Sequence, residues 1–155
     1  MPHRIEDFVG AWSLVDWRIE YSDGGATRPF GVAAHGYIVY ATNGVMVANI
    51  AKGDRETFGV PNARNAEAGK KVEAFENYFA YAGPWRIEGD EVVHAVTMSL
   101  FPDMTGTQQR RLAVFDGKGG LTLSAHEPLK DGASRHHILQ WQRSRQAVHS
   151  GQQGG

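Results

Sequence analysis

Most of the chain alternates between apolar and polar residues with the period of a β-strand. Counting by twos through "VVHAVTM" puts Val92, His94, Val96 and Met98 on one face of a predicted strand. His94 is then the one titratable side chain on an otherwise apolar face. Similar short segments recur along the chain, separated by turns rich in Gly, Asp and Asn. About eight such strands predict an antiparallel barrel or sandwich.

Two local features refine this pattern. Asn43-Gly44 lies between two strand-like segments and predicts a type I′ hairpin turn, which needs a positive φ at both residues. Leu14 and Val15 sit where the alternation of the first strand changes parity, which predicts a bend or a β-bulge at that point.

Helical spacing interrupts the strand pattern twice. The segment "RIEDFVG" predicts one short amphipathic helical turn that could plug an end of the barrel. Residues 54–80 predict a helical insertion, because charged residues separate an apolar set at helical spacing: Val72, Phe75, Tyr78 and Phe79. Residues 1–143 therefore form one predicted domain, and 144–155 a polar, Gly-rich and flexible tail.

Composition narrows the classes of partner. The chain has 155 residues, and its 16 basic and 17 acidic side chains nearly cancel, so neither nucleic acid nor an anionic membrane is an expected partner. Cysteine is absent, which fits a reducing compartment. No apolar segment has the length of a signal peptide or a membrane span. We therefore expect a cytoplasmic protein.

Several segments resemble one family. "GAW" at residues 10–12 matches the Gly-x-Trp of the first lipocalin strand, and Arg143 in "LQWQR" matches the arginine that packs over that tryptophan. "FVGAWSLV", "GYIVYATNGVM", "YFAYAGPW" and "VVHAVTMSLFPDMTGTQQRR" extend the likeness, in order, from Phe8 to Arg143. The chain is similar to the bacterial and fungal lipocalin-like domain family, known chiefly by its fold.

The resemblance implies an up-and-down lipocalin-like β-barrel with a ligand cavity and no required cofactor. Some similar proteins are encoded with natural-product pathways, and other small barrels act as cofactor-free cyclases or isomerases. This is analogy, because a fold supports many functions. The resemblance also implies that Trp12 and Arg143 form a cation–π pair at the base of the barrel.

Three residues are candidates for catalysis. His94 could act as a general acid or base, because an imidazole titrates near neutral pH, or it could be a core histidine with a satisfied hydrogen bond. Arg111 matches the family pattern and could stabilise an anion, although periodicity alone favours Arg110 as the inward-facing arginine. Tyr81, where the insertion meets the predicted mouth, could orient a carbonyl group.

A wider set of residues is predicted to bind the ligand. They come from the first hairpin, the insertion, the faces that carry His94 and Arg111, and one position where the family usually has tyrosine: Tyr40, Arg55, Tyr78, Met98, Phe115 and Trp85. No metal site is predicted, because adjacent His136 and His137 would point to opposite faces of a strand. No nucleotide-binding motif is present.

These observations leave three functions open. The first is binding of a small hydrophobic or aromatic molecule, with catalysis by a cofactor-free cyclase, isomerase or dehydratase of a carbonyl-bearing, polyketide-like substrate. The second is a carrier or sequestering protein. Both predict a cavity of ~300 Å³ or more. The third is a barrel used for protein assembly, which predicts a filled interior and an exposed apolar patch. A homodimer is compatible with either of the first two.

Overall fold

The computed structural model describes residues 2–145, which form an antiparallel β-barrel. Eight strands close the barrel, and each pairs with the next in the ring until the last pairs with the first. They are β1 (Gly10–Tyr21), β3 (His35–Tyr40), β4 (Val45–Ala51), β5 (Tyr78–Glu88), β6 (Glu91–Ala95), β8 (Gln108–Phe115), β9 (Gly120–Pro128) and β10 (Ser134–Arg143). Two short strands, β2 (Ala26–Thr27) and β7 (Met98–Ser99), pair with β1 and β5. The predicted fold class is confirmed.

The predicted irregularity in the first strand is a β-bulge at Val15. The pairing of β1 with β10 shifts register between Leu14 and Asp16, so Val15 has no partner and its side chain is exposed. The bulge lets Trp12 before it and Trp17 after it both turn toward the barrel interior, although the two residues are five positions apart and would face opposite sides of a regular strand.

The first hairpin forms, but its turn is not type I′. Gly44 has a φ of 93°, whereas Asn43 does not have a positive φ. The Ala41 amide donates to the Val45 carbonyl, so three residues lie between the paired ends, as in a type I turn followed by a left-handed glycine. One glycine in the left-handed region is sufficient here.

The helical insertion is shorter than predicted. After a loop, one 3₁₀ turn spans Ala63–Asn65 and helix α2 spans Ala68–Glu76. Tyr78 and Phe79 belong to β5, where they pair with Ala51 and Ile50 of β4. Sheet hydrogen bonds and partial burial of Phe79 override the helical spacing of these two residues.

The base of the barrel is filled with aromatic side chains. Helix α1 (Ile5–Phe8) covers this end and inserts Phe8, which is fully buried, against Tyr40, Trp85 and Phe115. The predicted plug is thus confirmed. The guanidinium of Arg143 lies 4.2 Å from the ring centroid of Trp12, which confirms the cation–π pair.

The predicted tail, residues 144–155, falls within the described residues only at its start. Ser144 is bonded to β1, because its amide donates to the Ala11 carbonyl and its hydroxyl lies 2.6 Å from that of Ser13. The rest of the predicted tail, residues 146–155, lies outside the described residues.

Candidate functional site

A cavity of about 190 Å³ occupies the part of the barrel beyond the aromatic base. It is smaller than the predicted ~300 Å³. An apolar cavity of ~150 Å³ is large enough for benzene, so this one has room for one substituted ring. Its wall is mainly apolar and contains a few polar side chains: Trp17, Ile38, Ala48, Ile50, Phe79, Tyr81, His94, Arg111, Leu123, His137, Leu139 and Trp141. A filled interior, as expected for a barrel used only in assembly, is not observed.

Strand register determines which arginine enters the wall. Arg111 pairs with Val92 of β6, and Val92 is fully buried. The side chain of Arg111 therefore points inward and lines the cavity. Arg110, one residue earlier on β8, points outward and forms ion pairs with Glu88 and Glu91 at 3.4 and 3.8 Å. The apolar neighbours that made Arg110 seem inward-facing, Leu112 and Val114, are in fact exposed.

His94 forms the centre of a buried hydrogen-bond relay. Its Nε2 lies 2.7 Å from the Tyr40 hydroxyl, and its Nδ1 lies 2.7 Å from the Tyr81 hydroxyl. All three residues are buried, and His94 is only 1% exposed. Both ring nitrogens are therefore engaged by protein groups, as in a satisfied core histidine, although the ring also forms part of the cavity wall.

A count of hydrogens gives the relay a direction. With neutral imidazole, the three groups carry three polar hydrogens but share only two hydrogen bonds, so one hydrogen remains at one end. Within residues 2–145 neither tyrosine has another hydrogen-bond partner, but Tyr40 is packed in the aromatic base, where a donor without an acceptor is costly, whereas Tyr81 borders the cavity. Tyr40 therefore donates to Nε2, and the Nδ1–H donates to the oxygen of Tyr81. The remaining hydrogen belongs to Tyr81, which lines the cavity.

Burial keeps this relay uncharged. Burial, and to a smaller extent the positive charge of Arg111, together lower the pKa of His94 to about 3. Burial raises the pKa of Tyr40 well above its usual value and also raises that of Tyr81, while Arg111 partly opposes both shifts. At neutral pH the relay therefore presents a neutral hydroxyl donor to the cavity.

Arg111 supplies a positive charge without a carboxylate partner. Its Nη1 donates to the Arg110 carbonyl at 2.8 Å, and its Nη2 donates to Gln109 Oε1 at 3.3 Å. No ion pair of Arg111 with an Asp or Glu occurs in the described part of the chain. A guanidinium in this state can bind an oxyanion or a polarised carbonyl oxygen.

Sequence analysis missed His137, a second histidine of the wall. Its Nε2 donates to Glu127 Oε2 at 3.0 Å, and the same carboxylate accepts two bonds of 2.7 Å from Arg135. The bonds from Arg135, and then that from His137, lower the pKa of Glu127 to about 2. Glu127 is thus ionised at neutral pH and holds the His137 ring in one orientation.

The other missed residues are two tryptophans and the apolar wall. The indole N–H groups of Trp17 and Trp141 are buried and have no acceptor within residues 2–145. The period of two along β10 places His137, Leu139 and Trp141 on one face, and this signal could have identified them.

A family model described as "Lipocalin-like domain" matches residues 9–144, which is most of the chain. The chain belongs to the lipocalin-like domain family. No curated protein matches it. Together, the family and the cavity indicate binding of a small molecule.

Three ligand-binding candidates lie in the base of this lipocalin-like domain and do not line the cavity. Trp85 donates its indole N–H to the Ala41 carbonyl and packs on Tyr40 at 4.8 Å between ring centroids. Phe115 packs on Phe8 at 5.0 Å. The side chains of Tyr40, Trp85 and Phe115 do point into the barrel, but they lie at the level of the aromatic base and not at the level of the cavity. Tyr40 reaches the site only through His94.

The other three ligand-binding candidates lie outside the barrel. Tyr78 faces outward from β5 and donates to Asn49, and Arg55 lies 4.9 Å above its ring. Met98 is 65% exposed, because β6 ends at Ala95 and β7 pairs Met98 with the outward-facing Ala82. The break between β6 and β7 reverses the parity that had placed Met98 beside His94.

Within residues 2–145, no three His, Asp or Glu side chains lie close enough together to hold a metal ion. No helix in the described part of the lipocalin-like domain is sufficiently long and apolar to cross a membrane.

Proposed function

We propose that this lipocalin-like domain binds a small, mainly apolar, one-ring molecule through an oxygen atom held by Tyr81 and Arg111. The observation that carries this proposal is the buried Tyr40–His94–Tyr81 relay, which ends at the wall of an apolar cavity that Arg111 also lines. The direction inferred for the relay leaves the hydroxyl of Tyr81 as a donor to the cavity. A carbonyl or anionic oxygen satisfies both groups. The ligand is therefore an aromatic or unsaturated carbonyl compound, or its anion.

The same two groups support catalysis without a cofactor. Donors that are fixed before the reaction stabilise negative charge as it develops on a carbonyl oxygen. Such charge develops in the isomerisation, cyclisation and dehydration of carbonyl compounds. His94 and Tyr40 are then positioning residues, because they fix the direction of the Tyr81 hydrogen. A polyketide-like substrate larger than one ring would exceed the cavity volume of about 190 Å³.

A carrier function remains the second candidate, and one observation favours it. Both nitrogens of His94 are occupied and its pKa is about 3, so His94 is a poor acceptor of a substrate proton at neutral pH. A barrel that only stores its ligand needs the donor groups but no base. The two functions differ in whether the ligand leaves the protein chemically changed. The homodimer stays a prediction.

Matched pairs of variants test the binding site. Phenylpyruvate, a one-ring keto acid, is titrated while tryptophan fluorescence is recorded, because Trp17 and Trp141 line the cavity. We expect Tyr81→Phe and Arg111→Gln each to weaken binding about 10-fold or more, since each removes a hydrogen bond to the ligand oxygen. Tyr78→Phe and Arg110→Gln, on the outer faces of the same strands, should bind as wild type. Equal effects in both members of a pair would contradict the proposal.

A second experiment separates enzyme from carrier. Native mass spectrometry identifies the small molecule that accompanies the protein from its host, and the molecule is then rebound to wild type and to Tyr81→Phe. Chemical conversion by wild type alone supports catalysis. Release of an unchanged molecule from both proteins supports the carrier.

A further inference from the structure

The cavity contains one free hydrogen-bond acceptor that complements the free donor of Tyr81. Because Glu127 is ionised and can only accept, the His137 nitrogen that faces it carries the hydrogen. In the neutral form of the ring, the other nitrogen, Nδ1, is a hydrogen-bond acceptor. It has no hydrogen-bond partner within residues 2–145, and the side chain lines the cavity.

The acceptor and the donor belong to opposite sides of the barrel. In the ring β1-β3-β4-β5-β6-β8-β9-β10, β5 with Tyr81 and β10 with His137 are four strands apart in either direction. A one-ring molecule in the cavity therefore lies between a hydroxyl donor with a nearby guanidinium and an imidazole acceptor. This is the arrangement that general acid–base chemistry on a carbonyl compound requires.

We propose that His137 is the catalytic base for substrates that carry an acidic C–H next to the carbonyl group held by Tyr81 and Arg111. This inference rests on the proposed function and narrows its substrate class to enolisable ketones, aldehydes and keto acids. Glu127 and Arg135 are positioning residues, because they hold the ring and do not reach the substrate.

The proposed step needs no cofactor. Nδ1 of His137 takes the proton from the carbon next to the carbonyl, and the C–H electron pair forms a C=C bond as the C=O π bond opens onto oxygen. Tyr81 and Arg111 stabilise the resulting enolate oxygen. The imidazolium, stabilised by Glu127, exchanges its proton with solvent and then protonates the same carbon, which results in hydrogen exchange. Alternatively, it gives its proton to another atom of the enolate, which isomerises the substrate.

Hydrogen exchange measures this step directly. Phenylpyruvate has a benzylic CH₂ next to its ketone, and loss of that signal is followed by proton NMR in D₂O, with the buffer rate subtracted. We expect wild type to accelerate exchange and His137→Gln to lose about 10²–10⁴-fold of that acceleration. His136→Gln is the matched control, because His136 is the adjacent residue on the opposite face of β10 and stacks on His126 at 3.9 Å. It should exchange as wild type.

Binding measured in the same samples separates the two proposals. If His137→Gln binds phenylpyruvate within about 3-fold of wild type but does not exchange it, His137 is the base. If wild type binds the probe without accelerating exchange, or if His137→Gln exchanges as fast as wild type, His137 is not the base and the binding site stands. If wild type does not bind the probe, the proposed function itself fails.

A second variant covers the case in which His137→Gln does not fold. Glu127→Gln keeps the imidazole but removes the charge that orients it and stabilises its protonated form. We expect its exchange rate to fall 10-fold or more while binding is retained. Exchange at the wild-type rate in a folded Glu127→Gln would overturn the role assigned to this pair.

Discussion

The aromatic base of the barrel and the half that contains the cavity, here called the open half, are both lined by aromatic and aliphatic side chains, but they satisfy their polar groups differently. In the base, the indole N–H groups of Trp12 and Trp85 donate to the carbonyls of Phe8 and Ala41. In the open half, the indoles of Trp17 and Trp141 have no acceptor within residues 2–145, and Arg111 has no carboxylate partner there. The base is complete in itself, whereas the open half has donors to offer a ligand.

The relay connects the two halves. Tyr40 packs in the base against Phe8 and Trp85, Tyr81 lines the cavity, and His94 bonds to both. The packed base therefore fixes the direction of a hydrogen bond in the open half. The comparison shows how one part of a small barrel can provide rigidity and another part chemistry.

The largest loss of stability should come from removal of an aromatic ring from the base. Phe8→Ala removes a fully buried ring and should lower the free energy of unfolding by about 3–5 kcal/mol. Phe79→Ala in the open half should cost about half as much, because that ring is only partly buried and borders a cavity already. Urea unfolding of both variants provides the measurement. Equal losses would mean that the two halves are packed alike.

A smaller effect should follow from removal of one relay hydroxyl. Tyr40→Phe leaves Nε2 of His94 buried without a donor, which should cost about 1–3 kcal/mol of stability. Tyr37→Phe, an exposed tyrosine on the same strand, is the control and should cost almost nothing. The stabilities of the two variants and of wild type are compared by thermal unfolding. A neutral Tyr40→Phe would argue against the relay as a structural link.

The smallest effect is a pH dependence of stability. The pKa of His94 is about 3 in the folded protein and near 6.5 in the unfolded chain. Between these values the unfolded chain binds a proton that the folded protein excludes, so stability falls as pH decreases below 6.5. The slope from this residue is at most ~1.4 kcal/mol per pH unit, and it vanishes above pH 6.5. Urea unfolding from pH 5.0 to 7.5 should show a shallower slope for His94→Gln than for wild type.

The fold could be predicted because it depends on local periodicity and turn chemistry. Alternation by twos identified the barrel strands, and the parity change beside Val15 identified the bulge. The predicted helical insertion was too long at its C-terminal end, because Tyr78 and Phe79 fit a helical spacing but pair with β4 as part of a strand. Pairing across the sheet is a nonlocal interaction that a local pattern does not contain.

The site could be predicted only in part, for a similar reason. Strand parity pointed to His94 and the family resemblance pointed to Arg111, and both side chains line the cavity. Parity says which face a side chain takes but not how far along the barrel axis it lies. Parity assigned Phe115 to the ligand, and the family pattern assigned Trp85 to it, although both rings fill the base. His137 was missed although the period of two along β10 places it on the face of Leu139 and Trp141.

Long-range ¹H–¹⁵N NMR of His94 measures the direction of the relay, on which the proposed binding of the ligand oxygen depends. The His94→Gln variant identifies which imidazole signals belong to this residue. The account predicts a neutral ring with hydrogen on Nδ1 and none on Nε2, unchanged from pH 5 to pH 8, which leaves the Tyr81 hydrogen for the cavity. Hydrogen on Nε2, or a titration near pH 6.5, would contradict it.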